Sequence, residues 1–426
     1  FCAVFAGYLL SPVTTSFDSR WTVYTVMSII HEGNTDLDEY ADVLREQGDY
    51  AIYRTRGHAY DFFPIGTPLL ATPFVFVLDK GLNAAYALWP GLEERLRSLS
   101  NSQIQRFGVL TIHHRVEQLI ASFFGAVTAV LVYGIARIEL DRKRALVICM
   151  IFAFCTSAWS TASRALWQHG PSMLMLSAAL YLLLLARKRP RLAQYASLPL
   201  AYAFVIRPSN AVSIAFLTIY VLIEHREIFV RYVAWSLVVA VPFAVFNWRV
   251  YGGLLPPYFS PERIGWHGRL PEALAGNLVS PARGLFVYSP VLLFALWGIA
   301  TAMRRKPADR LAWALASIVF LHWIVISSFP HWWGGHSYGP RLFTDMLPFL
   351  AFFLIPVVAR LGTPRGARGA LATALFVALA SFSLAVHFRG ATSMEVYEWN
   401  GSPSNVDSHP ERIWDWSDPQ FLRGLH

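Results

Sequence analysis

Apolar stretches separated by short loops run through the whole sequence, and the loops alternate between rich and poor in Arg and Lys. Hydrophobic residues make up 55% of the chain and charged residues only 15%, which is not the balance of a soluble globular protein. A backbone that crosses hydrocarbon must satisfy its own hydrogen bonds. We therefore predict an all-α, polytopic transmembrane helix bundle of about 11 spans, folded as a single domain over residues 1–426. The apolar stretches are 1–12, 113–138, 145–163, 170–187, 192–206, 211–224, 230–249, 285–303, 309–328, 341–360 and 369–388.

The loops rich in Arg and Lys predict the orientation of the bundle. They are short and follow apolar stretches, so by the positive-inside rule they face the cytoplasm. The intervening segments then face outward, including a long first extracytoplasmic loop, 13–112, and an extracytoplasmic tail, 388–426. Topology explains the net charge of +9, so nucleic-acid binding is not indicated. The basic loops are 137–144, 187–191, 225–231, 304–310 and 360–368.

The first loop predicts juxtamembrane helices rather than a separate domain. Residues 18–30 have an amphipathic helical pattern, and residues 36–44 repeat an acidic, half-apolar one. The apolar segment 62–78 is not counted as a span, because counting it would place every later basic loop outside. Its three prolines suit a helix that lies in or dips into the outer interface.

Both ends of the chain carry expectations of their own. The first stretch, 1–12, is shorter than the roughly 20 residues that a helix needs to cross the hydrocarbon core. No small-residue cleavage site follows it, so we expect an uncleaved first span that lacks its natural beginning. The tail contains a glycosylation sequon at Asn400, a pattern that is common by chance.

Asp18 follows the first span within a few residues, so its carboxylate is held near the outer membrane surface. An ionised carboxylate there can take a proton from an acceptor hydroxyl. Asp18 also precedes a helical pattern, and Asp is a favoured N-cap, so the two interpretations stand side by side. Arg20 is too close in sequence to pair with Asp18 on a helix face and could bind a phosphate.

A second polar cluster precedes segment 62–78 and contains Arg54, Arg56, His58, Tyr60 and Asp61. Cations beside a membrane-embedded segment suit the phosphate of a lipid-linked substrate. Basic residues that merely snorkel to an interface would give the same pattern.

A third cluster, 330–341, combines aromatic residues with glycines and contains His331, His336 and Arg341. Its aromatic rings suit sugar binding or interface anchoring. Arg341 and Asp345 are four residues apart, so on a helix they are expected to pair. The two histidines lie in a loop with no carboxylate between them, so no metal site is predicted.

Arg164, His169 and Arg207 lie at two outward turns between apolar stretches. An ionisable residue at that depth is a functional candidate. Snorkelling to the outer headgroups is the alternative, and it explains one such residue more easily than three.

This arrangement resembles the GT-C superfamily of integral membrane glycosyltransferases, which includes protein O-mannosyltransferases and lipid A aminoarabinose transferases. A first span precedes a long outer loop with Asp18 near its start, followed by the proline-containing segment 62–78. A second span ends in a basic loop at 133–144, and the sequence Arg-Pro-Ser beginning at Arg207 resembles a recurring feature of these enzymes.

The resemblance implies catalysis on the outer face, with a polyprenyl-phosphate sugar donor and inversion at the anomeric carbon. It gives Asp18 the role of general base and makes Asp61 or Asp345 a second acidic candidate. No metal or cofactor is implied. The substrate-binding candidates are Arg20, Arg56, His58, Arg164, His169, Arg207, His331, His336, Arg341 and Asp345.

The sequence departs from its relatives at two places. Many of them carry paired acidic residues in the first loop, whereas Ser19 and Arg20 follow Asp18 here. The outer turn before His169 holds Trp167 and Gln168 rather than an acid. These differences leave the acceptor open among a glycan, a lipid and a protein.

A transporter or lipid flippase is the main rival function, since polar residues inside helical bundles also mark translocation routes. The polar sites gather at one face and no internal repeat is visible, which favours the enzyme. An inactive scaffold subunit is a third possibility. For the enzyme we expect an integral protein of the bacterial inner (plasma) membrane, among membrane lipids, with its active site on the periplasmic or extracellular face.

Overall fold

The computed structural model describes residues 1–15, 17–48, 50–98, 108–361 and 366–425. The protein is 73% helix and 2% strand, which agrees with the predicted helical class. The α-helices are α1 (Cys2–Leu9), α2 (Thr22–His31), α3 (Ala41–Gln47), α4 (Gly66–Leu88), α5 (Pro90–Ser98), α6 (His113–Arg137), α7 (Arg142–Phe154), α8 (His169–Ala186), α9 (Ser197–Ile206), α10 (Ala211–Glu224), α11 (Phe229–Tyr251), α12 (Leu270–Val279), α13 (Leu285–Tyr288), α14 (Leu293–Met303), α15 (Arg310–Ser327), α16 (Leu347–Leu361), α17 (Gly366–Thr392) and α18 (Glu395–Glu398).

Within the described ranges, 6 helical segments are long and apolar enough to cross a membrane. The predicted total of about 11 spans is not confirmed, because other apolar stretches form short or interrupted helices. Stretch 145–163, for example, is divided between α7 and a π-helical turn at Ala158–Ala162. The six segments are Gly108–Arg137, His169–Ala186, Arg226–Tyr251, Arg310–Ser327, Arg341–Leu361 and Gly366–Thr392.

The centre of the bundle is formed by α6, α7, α8, α14 and α16, which pack extensively on one another. Among the six segments, the one that contains α16 is the most enclosed, because 83% of its most apolar 18 residues are buried inside the protein. The buried share is 11% for the segment that contains α11 and 17% for α17, so these two helices lie at the periphery. Their exposed apolar faces suit contact with lipid.

Three of the basic loops lie close together at one end of the bundle. Arg187, just after α8, donates to Asp309 at 2.8 Å, and Arg310 donates to Glu224 at the end of α10 at 2.9 Å. The Asp309 carboxylate also caps α15 by accepting from two of its backbone N–H groups. Three of the five basic loops are thereby linked, and residues 362–365 of the loop at 360–368 lie outside the described part of the chain.

The first loop differs in detail from its predicted pattern. The predicted helix at 18–30 begins only at Thr22, and segment 36–44 divides into a 3₁₀ turn, Asp38–Tyr40, and the start of α3. A hairpin of β1 (Ile52–Thr55) and β2 (His58–Asp61) was not predicted. Segment 62–78 begins as a turn and continues as α4, which packs on α2 and is not among the candidate spans.

Candidate functional site

A cavity of about 690 Å³ opens at the end of the bundle that lies away from the basic loops. Helix α8 begins at His169 beside the cavity and ends at Ala186 beside the basic loop 187–191, so the two features lie roughly 27 Å apart along its axis. The residues that line the cavity are Phe17, Asp18, Ser19, Thr22, Tyr50, Asp61, Phe63, Pro64, Thr67, Pro68, Leu166, Trp167, Gln168, His169, Arg207, Tyr258, Phe329, Pro330, His331, Gly334, Gly335, His336, Arg341, Leu342, Asn405 and Asp407.

Asp18 lies in the cavity wall with a side chain that is 15% exposed. Tyr50 Oη donates to one carboxylate oxygen at 2.7 Å, and the Arg341 guanidinium forms an ion pair with the other. Burial opposes ionisation of Asp18, but the charge of Arg341 and the two hydrogen bonds outweigh it and hold the pKa of the carboxyl below its usual value. The N-cap alternative is wrong, because α2 begins at Thr22 with no side-chain cap.

Arg341 connects the first loop with the outer end of α8. Its Nε donates to His169 Nε2 at 3.2 Å and its Nη1 to the Gly334 carbonyl at 3.1 Å, while the guanidinium lies 4.0 Å above the Trp167 ring. The predicted pairing of Arg341 with Asp345 is wrong. Residues 341–346 form a 3₁₀ turn rather than an α-helix, so the two side chains take separate partners.

Asp345 is fully buried behind the cavity and does not line it. Its Oδ2 accepts from Arg207 Nη1 at 2.6 Å, and its Oδ1 lies 3.4 Å from His169 Nδ1. Pro208 cannot continue α9, so the chain turns extended at Arg207 and the guanidinium reaches the cavity wall. The ion pair with Asp345 offsets the free-energy cost of burying the Arg207 cation, since Arg207 is only 6% exposed.

Four buried polar atoms in the cavity wall have no hydrogen-bond partner among the described residues. They belong to Asp61 (Oδ2), Thr67 (Oγ1), Gln168 (Nε2) and Arg207 (Nε). Native proteins satisfy nearly all such atoms, so a cluster of them in one wall indicates a polar ligand. Asp61 Oδ1 accepts from the Phe63 N–H at 3.0 Å, and burial, with smaller contributions from nearby carboxylates, raises the pKa of this carboxyl to about 8.

The glycine-rich loop 330–341 brings His331 and His336 into the cavity wall. Gly334 and Gly335 have φ angles of +71° and +64°, a left-handed conformation that other residues adopt at a cost. Buried Arg283, which the sequence did not single out, holds this loop in place. It donates to the carbonyls of Trp333 at 2.8 Å and Gly335 at 3.0 Å.

The C-terminal tail folds over the same end of the protein and supplies two lining residues, Asn405 and Asp407, that sequence reasoning missed. Asp407 accepts from Trp333 Nε1 at 2.8 Å, which ties the tail to loop 330–341. Asn400 of the sequon is fully buried and accepts from Arg283 at 2.7 Å, so in this fold it is inaccessible to a modifying enzyme.

Besides Asp345, four of the predicted binding residues lie away from the cavity lining. Arg164 is fully buried and donates to the Tyr8 carbonyl at 2.5 Å, so it anchors α1 and does not snorkel to headgroups. Arg20 packs over the Phe17 ring at 4.8 Å. Arg56 occupies the turn of the hairpin and donates to a backbone carbonyl of α11, and His58 lies 2.6 Å from an acidic side chain.

The described residues contain one group whose donor atoms lie close enough to hold a metal ion, and it is outside the cavity. Asp36, Asp38 and His58 place one ligand atom each within 4.8 Å of one another beside the hairpin. The oxygens of Asp38 already accept from the Ala59 N–H at 2.9 Å and contact His58. Hydrogen bonding therefore explains this arrangement.

The chain is similar to known proteins in part of its sequence and in its fold. A family model described as dolichyl-phosphate-mannose-protein mannosyltransferase matches residues 109–251. In fold the chain is similar to the crystal structure of the Archaeoglobus fulgidus oligosaccharyltransferase in its apo form, with a TM-score of 0.52 and 12% sequence identity. Both findings support the predicted resemblance to the GT-C superfamily of membrane glycosyltransferases.

The family match and the apolar helices also support an integral membrane protein. The structural similarity covers 98% of this chain and 59% of the oligosaccharyltransferase, so this chain spans less than two thirds of that protein's length. No curated protein matches the sequence.

Proposed function

We propose that this protein is a GT-C glycosyltransferase that transfers a sugar from a polyprenyl-phosphate carrier to an acceptor hydroxyl, with inversion at the anomeric carbon. The observation that carries the proposal is one cavity wall that holds an ionised carboxylate, Asp18, together with two guanidinium groups, Arg207 and Arg341. A base, fixed cations and unpaired polar atoms are what transfer from a phosphate-linked sugar requires of a protein.

Asp18 acts as the general base in this proposal. It accepts the proton of the acceptor hydroxyl while the acceptor oxygen attacks the anomeric carbon from the face opposite the phosphate. The bond between the anomeric carbon and the phosphate oxygen breaks, and its electron pair leaves with the polyprenyl phosphate. Tyr50, which donates to Asp18 at 2.7 Å, keeps the carboxylate oriented.

The donor phosphate is assigned to Arg207 and Arg341. The Nε of Arg207 has no partner among the described residues, and the equally unpaired Nε2 of Gln168 belongs to another residue that lines the cavity. Arg341 is the cation that reaches the base, so a bound phosphate competes with Asp18 for its N–H groups. Phosphate binding thereby loosens the hold of Arg341 on Asp18 and raises the basicity of the carboxylate.

The carrier chain enters from the lipid in this proposal. Part of the apolar lining comes from the turn that leads into α4 and from the outer loop after α11, where the rings of Phe63 and Tyr258 lie 5.3 Å apart. We place the cavity on the periplasmic or extracellular face of a bacterial inner membrane, because basic loops gather at the other end of the bundle.

Purified protein in lipid nanodiscs tests the proposed function directly. We expect it to release polyprenyl phosphate from a radiolabelled polyprenyl-phosphate sugar, with the anomeric configuration of the product inverted relative to the donor. Movement of the intact donor across a liposome membrane, without cleavage, would instead assign the cavity to a flippase.

The raised pKa of Asp61 predicts that the donor binds more weakly at alkaline pH. With a pKa of about 8, its carboxyl is neutral at pH 7 and becomes a second negative charge near Asp18 above that pH. We expect the KM for the donor to rise as the pH passes roughly 8, because the new charge repels the phosphate. Asp61→Asn stays neutral, so its donor KM should change little between pH 7 and 9. An equal rise in both proteins would exclude Asp61 as the cause.

A further inference from the structure

A group of side chains linked by contacts forms the part of the cavity wall next to Asp18, and we name it the rim group: Phe17, Tyr50, His336, Asn405 and Asp407. The rings of Phe17 and Tyr50 lie 4.7 Å apart, those of Phe17 and His336 are stacked at 6.3 Å, and His336 Nε2 lies 3.0 Å from Asn405 Oδ1. Tyr50 joins the group to the proposed base.

The tail holds its two rim residues in fixed positions. Val406, between them, is fully buried in a cluster that contains Trp332, Trp333 and Trp399. Residues 406–408 form a turn in which the Ser408 N–H donates to the Asn405 carbonyl at 3.1 Å, and Asn405 and Asp407 are both exposed while Val406 is buried. The Asp407 N–H donates to Asn405 Oδ1 at 2.9 Å, which fixes the two side chains relative to each other.

The chemistry of the rim group fits a carbohydrate. Phe17 is partly exposed at 37% beside the cavity, and its ring offers an apolar face that suits the C–H face of a sugar ring. Asp407 offers carboxylate acceptors and Asn405 an amide donor beside that face, and both can bond to hydroxyls at the ring edge.

A peptide acceptor fits this wall less well. Extended peptides are commonly bound by addition to an exposed strand edge. Asp36 pairs with Tyr60 on the outer side of β2, so among the described residues the open edge of the hairpin is that of β1. None of the described cavity-lining residues belongs to β1. The wall next to Asp18 instead consists of loop and tail side chains.

We propose that the rim group is the acceptor subsite and that the acceptor is a carbohydrate, which presents one hydroxyl to Asp18. This inference rests on the proposed function, because it assigns the second substrate of the same site. The hydroxyl proton passes to Asp18, the new bond forms to the anomeric carbon of the donor, and the phosphate leaves with the electron pair of the broken bond.

Binding without donor tests the subsite independently of catalysis. The probes are an array of linear hexose oligosaccharides, neutral and acidic, and an array of Ser- and Thr-containing hexapeptides, both presented to nanodisc-embedded protein. We expect oligosaccharide binding that Asn405→Ala and Asp407→Asn each weaken by about tenfold. Asp407→Asn keeps an oxygen for Trp333 Nε1, so its thermal unfolding should match that of the wild type.

A matched control lies on the same tail. Asp415 is exposed, and its carboxylate accepts from the Ser417 N–H at 2.8 Å outside the cavity, so Asp415→Asn should bind as the wild type does. Phe17→Leu keeps an apolar side chain without the flat ring and should also weaken binding. Preferential binding of peptides, no binding to either array, or binding that the rim variants leave unchanged would overturn the inference.

Failure of the inference is distinguishable from failure of the proposed function. Asp18→Asn should still bind oligosaccharides, because Asp18 serves the proton transfer rather than the stacking face. Hydrolysis of the donor is measured in parallel. In that reaction water takes the place of the acceptor, so the release of polyprenyl phosphate reports on donor cleavage alone. Release without oligosaccharide binding contradicts only the acceptor subsite, whereas oligosaccharide binding without release contradicts the transferase.

Discussion

Asp18→Asn is expected to lower kcat for sugar transfer by about 10²- to 10⁴-fold, because an amide cannot accept the proton of the acceptor hydroxyl. The amide oxygen still accepts from Tyr50 Oη, so the local fold should be retained. Turnover is measured as carrier phosphate released in nanodiscs, and donor affinity is measured separately by equilibrium binding.

Asp42→Asn is the matched control for this variant. Asp42 lies on α3 in the same loop, is 72% exposed and pairs only with Arg45 among the described residues. It should keep wild-type kcat. If Asp18→Asn also turned over at the wild-type rate, Asp18 would not be the base and the proposed mechanism would be wrong.

Arg341→Gln is expected to have the second large effect, a fall in kcat/KM for the donor of about 10²- to 10³-fold. In the proposed mechanism the guanidinium stabilises the negative charge that develops on the departing phosphate. Removal of one fixed group that stabilises transition-state charge typically lowers the rate by this factor. The neutral amide of Gln can still donate a hydrogen bond but carries no charge.

The same variant should change the pH profile in a defined direction. Burial favours the neutral form of Asp18, and Arg341 is the main influence that lowers the pKa of the carboxyl against it. Without Arg341 the pKa rises, so the base becomes protonated at a higher pH and the acidic limb of the rate profile moves to higher pH. Arg45→Gln, at a residue that is 79% exposed, is the control. An unmoved acidic limb in Arg341→Gln would contradict the contact between Asp18 and Arg341.

Sequence patterns predicted those features that depend on composition and on local order along the chain. The apolar stretches indicated a helical membrane protein, and the basic loops indicated which segments share an end of the bundle. The structure joins 187–191, 225–231 and 304–310 closely, and it gathers Asp18, His169, Arg207 and Arg341 at the other end. Each of these side chains follows or precedes a long apolar segment, which fixes its depth to within about a helical turn.

Features that depend on backbone detail or on distant contacts were not predictable. The expected pairing of Arg341 with Asp345 assumed α-helical geometry, and a 3₁₀ turn separates the two side chains. Asp345 instead meets Arg207, which is 138 residues away in sequence. Arg283 and Asp407 belong to loops with no distinctive motif, and only the folded tail places them beside loop 330–341.

The ion pairs formed by Arg207 and Arg341 have a consequence for which ligands the cavity attracts. Arg207 is matched by Asp345 and Arg341 by Asp18, so their formal charges cancel. Asp407 adds a carboxylate to the same wall, so the cavity has no surplus positive charge with which to concentrate anions from the surrounding medium. Inorganic phosphate and nucleotides therefore gain little by entering, and the resting protein stays open to a ligand that arrives by way of the lipid.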